Sequence, residues 1–516
     1  MIKMINRKSG FSNMFVLLLA VIIITGISCK KFIYDPPITT TYGSKFWVSE
    51  RAVDQSTLAM YVQLRNGLKS SASHFIFGDL TTDVFHCAYN ADWTLNAVKA
   101  GNNPPFFFSY VPYKEGVLQN WSRFYKLIAQ CNLVLQNVPP MQNSLFSSRK
   151  KNEYVGEALF MRAYTYFYIT RVWGDPVYVS QTYNDIDYGN IPPVPRSPEA
   201  AVLDSCLRDL RTASSYLGYV NGDPAQSTRA NKGTVYSLMA HIFAWQHKYD
   251  SVHVYASKVI NEGGYSLEPA ATYSDIWAGQ KSSESIFELP MMANDQSIIA
   301  ETDVTGGKPG FFGVFLKGDI INRAGNNCWI VPTNGMTGVL FQDKNDMRFT
   351  TQLQPVAASN GDEAGYMFLK YSNVKYKNEQ DKTSPYVNNN LVLLRLSDIL
   401  LLDAEALAST GNIEGARSLV KQTEDRAGIT GYTAPASAYD MLDEIVMERG
   451  RELMGEGCWY YDLIRTESAQ GWLQYIGYPA ARLTPDNKGY YWPLDMNALF
   501  PYDNLLTQNP WWLKNK

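Results

Sequence analysis

What the chain has little of narrows its chemistry first. Only 18% of its 516 residues are charged, and 46 basic side chains nearly cancel 49 acidic ones, leaving a net charge of −3. That excludes a generally basic nucleic-acid binder, because phosphate recognition needs a concentrated positive field. Cysteine is scarce: Cys29, Cys87, Cys131, Cys206, Cys328 and Cys458 lie at wide, irregular spacing with no CxxC. Such spacing makes neither a disulfide framework nor a structural zinc site. Cys131 and Cys206 fall in helical patterns and read as buried small hydrophobes. Histidine is limited to His74, His86, His241, His247 and His253. The last three recur at six-residue intervals, which do not share a helix face, so they read as packing or surface residues.

Catalytic signatures are missing as well. The chain has no G-x-S-x-G, H-E-x-x-H or complete P-loop. Gly455-Glu456-Gly457 lacks the third glycine and the preceding strand of a dinucleotide loop. Glu448 and Glu452 stand one turn apart, but Arg449 and Arg451 interleave them. A glycosidase needs two carboxylates flanking a sugar, whereas a mixed run of this kind reads as a salt-bridged helix face. Asp343-Lys344-Asn345-Asp346 clusters oxygens yet lacks the rest of an EF-hand loop. The expectation is a protein that is not an enzyme, with no catalytic residue, no cofactor and no metal.

Long apolar runs are absent apart from one near the start. Met14 to Ile24 is apolar without interruption and follows Lys3, Arg7 and Lys8. A spanning helix needs about 20 residues, roughly twice this run, so this is a signal-peptide segment and not an anchor. Gly26-Ile27-Ser28-Cys29 follows directly and looks like a bacterial lipobox, with cleavage before Cys29 and lipid on its new terminus. Residues 1–28 are then a lipoprotein signal, 29–41 a lipidated tether stiffened by Pro36 and Pro37, and 42–516 one domain.

What is abundant is aromatic: 34 Tyr, 23 Phe and 12 Trp, or 13%. Such rings suit stacking on ligands at a wet surface, and a large core also absorbs them. The body is mainly α. Apolar periodicity predicts helices over Phe46 to Arg65, Asn120 to Val138, Lys151 to Val172, Asn231 to Trp245, Ser251 to Glu262, Leu391 to Ser409 and Ile413 to Ala427. Another opens at Ser197-Pro198-Glu199, with Ser as N-cap and Pro at the first position. In two hairpins Ala244 and Ala256, and Ala404 and Ala416, are twelve residues apart. Small residues at that offset let paired helices approach, as in tetratricopeptide units. Two inserts, about 81–112 and 271–385, are rich in Gly, Asn, Pro and aromatics and too long to be plain connectors.

Several motifs together resemble the SusD/RagB outer-membrane lipoproteins of Bacteroidetes. Phe46-Trp47 matches the start of the family pattern, and Trp121-Ser122-Arg123-Phe124-Tyr125 through Cys131-Asn132 its W-x-x-x-Y…CN helix. Met161-Arg162-Ala163-Tyr164 to Tyr168, then Arg171-Val172-Trp173-Gly174-Asp175-Pro176, resembles R-A-x-x-Y-F…W-G-x-x-P with an early proline. Glu448-Arg449-Gly450-Arg451-Glu452-Leu453, Gly455-Glu456-Gly457 and Tyr461-Asp462-Leu463-Ile464-Arg465 resemble its E-R-x-x-E-L segment, except that Trp459 replaces the usual Arg. Asp346-Met347-Arg348 looks like a family turn, and Thr507-Gln508-Asn509-Pro510 matches the closing Q-N-P.

The resemblance implies about four tetratricopeptide-like helical pairs with a loop-rich ligand face. It also implies oligosaccharide capture beside a SusC-like TonB-dependent transporter, at the outer membrane and facing the cell exterior. A structural, adhesive or peptide-binding lipoprotein of the same fold is the alternative. Glycan receptors need aromatic platforms beside amides and carboxylates. The first insert holds this mixture in close succession: Asp83, Tyr89, Asn90, Asp92, Trp93 and Asn96. In relatives the corresponding early insert contributes to the glycan site. The second insert offers Trp277, Asn294, Asp295, Phe312, Asn327 and Trp329 as partners across a shallow cleft.

Overall fold

Short polar residues before apolar runs start the helices. In the computed structural model, described over residues 46–87, 117–147, 149–182, 192–220, 227–279, 282–291, 311–316, 320, 329–333, 336–358, 364–429 and 437–514, Ser49 caps α1 (Glu50–Lys69), its hydroxyl accepting from the Ala52 amide. Asn231 caps α5 (Lys232–Trp245) in a reciprocal box with Thr234. Each satisfies an amide that the first helical turn leaves without a partner. The helix α4 (Glu199–Tyr216) departs from expectation. Pro198, not Ser197, occupies its cap position, and the capping oxygen comes from elsewhere. Asp175 Oδ1 accepts from the Glu199 amide at 2.9 Å, so the acid of the W-G-D-P segment supplies what proline cannot.

Four helical pairs pack in succession: α1 with α2 (Ser122–Asn137), α3 (Lys150–Trp173) with α4, α5 with α6 (Tyr249–Glu262), and α7 (Leu396–Ser409) with α8 (Ile413–Arg426). Each pair also touches the next, as tetratricopeptide units do, and α9 (Ala438–Glu452) and then α10 (Trp459–Arg465) follow. Ala244, Ala256, Ala404 and Ala416 are all fully buried, which is the close approach their twelve-residue offset anticipates. The helix α3 is buried nearly all round from Tyr154 to Trp173 and forms the spine of the molecule.

The motif residues tie this spine to its neighbours. Arg162 on α3 makes two 2.8 Å bonds to Asp209 on α4 and a third to Asn132 on α2, joining three helices. Arg123 donates to the carbonyls of Gly67, Val117 and Asn120. The carbonyl of Trp173 accepts from Arg196 and Asn509, and Gln508 bonds both the amide and the carbonyl of Leu494. The closing Q-N-P thus clamps the end of α3. Gly174 has φ +78 and faces Tyr491, whose ring would lie 2.8 Å from any Cβ there.

Strands fill the second insert. The sheet orders β1 (His86–Cys87), β3 (Trp329–Pro332), β5 (Gly365–Phe368) and β4 (Leu353–Val356), all antiparallel. Two ribbons join β2 (Ser285–Leu289) to β8 (Leu391–Arg395), and β6 (Val374–Asn378) to β7 (Thr383–Val387). Strand β8 corrects the helix expected over Leu391 to Ser409. The strand takes Leu391 to Arg395 to pair with β2, and the helix begins only at Leu396. An apolar run of that length carries no period that separates strand from helix.

Candidate functional site

The lip of the first insert is built from Asp83 and β1. Asp83 adopts a left-handed conformation at φ 65, ending the 3₁₀ turn Leu80–Thr82. Its carboxylate lies 3.1 Å from His86 Nε2, and both side chains are partly exposed. The chain then enters β1, where Cys87 lies opposite Trp329 and His86 opposite Ile330. This pairing brings the root of the first insert against the second, so the two long inserts share one sheet. Tyr89, Asn90, Asp92, Trp93 and Asn96 lie outside the described residues, as do Asn294, Asp295 and Asn327.

Trp277 and Trp329 do not present faces to a ligand, contrary to expectation. Trp277 is 0% exposed, with Tyr273 edge-on and the Lys370 ammonium 4.5 Å from its ring centroid. Trp329 is 4% exposed and meets Phe315 at 90°. Phe312 is fully buried and stacks on Tyr371 at 4.6 Å. Phe312 and Trp329 join Phe75, Phe85, Phe311, Phe315 and Phe368 in an aromatic floor to which both inserts contribute. The physical reason is area: burying such rings stabilises the described part of the inserts, where strands and turns prevail.

Beneath this floor lies a buried ionic clasp. Glu452 receives Arg395 at 2.6 Å and Arg348 at 3.0 Å, and pairs with Arg426 as well. Glu456 receives Lys370 and Arg395, each at 2.8 Å, and Glu284 receives Arg395 and Arg426. Glu448 pairs with Arg348 and Arg451. Burial alone would raise the Glu452 carboxyl, yet Arg426, Arg395 and Arg348 outweigh it and hold the group well below its ordinary value. Lys370 shifts down because burial outweighs the pull of Glu456. The E-R-x-x-E-L run is therefore ion-paired, as a salt-bridged helix face should be, and that face is buried inside the protein. Arg449 turns away to Asp398 and Asp462. Trp459, in place of the usual Arg, is buried against Gly450, where a Cβ would sit 3.0 Å from its ring.

The carboxylates of this clasp are saturated by cations and closed to solvent, so they offer no acid or base to a substrate. Asp346 is likewise consumed by Arg348, through bonds of 2.7 to 3.2 Å, and caps the short helix Met347–Gln352. Among the described residues, no group of three His, Cys, Asp or Glu side chains could hold a metal ion. The histidines are held by hydrogen bonds: half-buried His241 bonds Asp398, while the exposed His253 and His247 bond Asp403 and the Arg465 carbonyl. Cys131 and Cys206 are buried free thiols. Sequence reasoning missed the clasp partners Arg348, Lys370, Arg395, Arg426 and Glu284. They come from separate segments of the chain, and only tertiary contact reveals them.

Comparison with known proteins agrees at both ends of the chain. Residues 342–512 match the SusD family, and residues 44–244 match a SusD-like family described as starch-binding and associating with the outer membrane. A SusD-like protein of Formosa agariphila is 23% identical over 504 residues, covering 90% of this chain and 92% of its own. Among solved structures, a SusD homologue from Bacteroides thetaiotaomicron superposes with a TM-score of 0.70 at 23% identity, covering 92% of this chain and 99% of its own. Bacteroides fragilis NanU gives 0.69 at 19%, with coverage of 92% and 99%.

Proposed function

The chain belongs to the SusD/RagB family, and from that premise we propose that it is a non-catalytic lipoprotein that captures oligosaccharide at the cell surface. On this reading it passes the sugar to a SusC-like TonB-dependent transporter. The observation that carries the reading is the match of residues 44–244, which contain the first insert, to a family described as starch-binding and outer-membrane-associated. Two further features support it. No helix among the described residues is long and apolar enough to cross a membrane; on this reading lipid on Cys29, the first residue of the 29–41 tether, supplies the attachment. The clasp carboxylates are fully ion-paired, which suits binding without hydrolysis.

The ligand site on this reading is the first insert, with Trp93 as stacking platform and Asp83, Tyr89, Asn90, Asp92 and Asn96 as hydrogen-bonding groups around it. Asp83 is half-buried at the lip beside His86, where a carboxylate can meet a sugar hydroxyl without leaving water entirely. A glycan array with the purified protein tests the class of ligand, and Trp93→Ala tests the site. Stacking contacts of this type contribute on the order of 1 kcal/mol or more, so the variant should bind at least several-fold more weakly with its melting temperature nearly unchanged. Unchanged affinity, or a much lower melting temperature, would put Trp93 in the core and the site elsewhere. An array without a hit, together with retention of a peptide, would favour the adhesive or peptide-binding alternative.

A further inference from the structure

Arg171, in the last turn of α3, is a cation without an acid. Among the described residues its guanidinium makes no hydrogen bond and no ion pair. It lies instead over aromatic rings, 4.4 Å from the Phe167 centroid, 4.6 Å from that of Tyr461 and 6.0 Å from that of Tyr168. The acids near Cys458, on the same side of the fold, are already engaged. Asp398 holds Arg449 and His241, Asp462 holds Arg449 and Arg465, and Glu456 holds Lys370 and Arg395. Asp79 accepts the Gly457 amide through Oδ2, leaves Oδ1 without a partner, and burial keeps it protonated up to about pH 8, so it offers Arg171 no charge.

Three buried donors around this cation have no acceptor: Arg171 Nε, Tyr168 Oη and Tyr461 Oη. The Arg171 charge acts on both phenols, and each of them also feels Cys458. Native interiors rarely leave donors unsatisfied, because desolvating such a group without a partner is costly. A water molecule could accept from one or two of them but carries no charge to answer the half-buried guanidinium. A single negative ion satisfies the donors and the charge together.

We propose that Arg171, Tyr168 and Tyr461 bind a small anion of halide size between α3 and α10. The guanidinium supplies the charge, Nε and the two hydroxyls supply the hydrogen bonds, and the Phe167 ring supports the guanidinium from its own helix. The site is separate from the first insert and does not depend on what that insert binds. Its effect is to lock α10, and with it the E-R-x-x-E-L end of the chain, to the spine helix.

The test compares the full chain, purified in detergent, in sodium chloride or bromide and in sodium gluconate of equal ionic strength. Halide should raise the melting temperature of the wild type by roughly 2 °C. Tyr461→Phe and Tyr168→Phe, which remove one donor each, should lose most of that gain. Crystals of the wild type soaked in bromide should show an anomalous peak within hydrogen-bond distance of both hydroxyls and Arg171 Nε. No halide effect on the wild type, or an equal effect on both folded variants, would overturn the proposal. So would an ordered water at that position in bromide-soaked crystals, a readout that stands even if neither variant folds.

Discussion

Asp79 is wholly buried at the end of the short helix Ser73–Gly78, where its Oδ2 accepts from the Gly457 amide at 2.6 Å. Burial pushes its carboxyl up to about 8, against the opposing pull of that amide and of Lys370, while Glu456 adds to the rise. In the unfolded chain it titrates near 3.8. The native state therefore holds a proton that the unfolded state has lost across the window from about 4 to 8, and stability falls as pH rises through it. His74, packed against the same Gly455-Glu456-Gly457 loop, is pushed down to about 4 by burial. Its linkage runs the other way, stability rising with pH between about 4 and 6.5, so the two nearly cancel there. From pH 6.5 to 8 Asp79 acts alone, and the wild type should lose about 2 kcal/mol through this group. Asp79→Asn keeps an acceptor for Gly457 and cannot ionise. Urea denaturation of the variant should show that decline abolished, and an identical slope in both proteins would refute the assignment.

Between elements, the clasp does what loops cannot do by backbone pairing alone. Glu452 on α9 joins Arg395 at the end of β8, Arg426 at the end of α8 and Arg348 beside β4. Replacing a buried pair by apolar groups is often neutral, but removing one partner leaves charge buried and uncompensated. Glu452→Gln should accordingly cost about 3–5 kcal/mol in denaturant unfolding. A loss below about 1 kcal/mol would mean that Glu448, Glu456 and Glu284 compensate the guanidiniums without it. Elements whose signal is local were legible beforehand. The helices α1, α2, α3, α5 and α8 begin and end within a few residues of their apolar periodicity, because caps and spacing act over one or two turns. The strands among the described residues were not, since each is short and most find their partners far along the chain, as β2 finds β8.

For the whole molecule, location is the property most exposed to test. Lipid on Cys29 would add about 0.8 kcal/mol per buried methylene, and two or more acyl chains hold a protein stably at a bilayer. Cys29→Ala should shift the protein from the membrane to the soluble fraction. A variant that stays with the membrane while the wild type carries no lipid label would remove the anchor from the proposal. Crosslinking in native membranes should capture a large β-barrel partner, whereas recovery of monomer alone would count against delivery to a transporter.

The sequence by itself determined the helical scaffold and the family, because amphipathic periods, caps and short motifs are written in neighbouring residues. It also pointed to Cys131, Cys206 and the paired alanines as buried, which they are. Only the tertiary structure decided what the aromatics do. Trp277, Phe312 and Trp329 look like platforms in an aromatic-rich insert, yet they are its core. The same ring serves either purpose, and the difference lies in which distant residue covers it: Lys370 and Arg395 over Trp277, Tyr371 over Phe312. Charge follows the same rule. Glu448, Arg449, Arg451 and Glu452 read as one salt-bridged helix face; Glu448 does pair with Arg451, but Arg348, Arg395 and Asp398 from distant segments also take up Glu448, Glu452 and Arg449 in buried pairs. Hydrophobic burial and ion pairing depend on proximity in space, and chain order fixes that proximity only where the contacts are local.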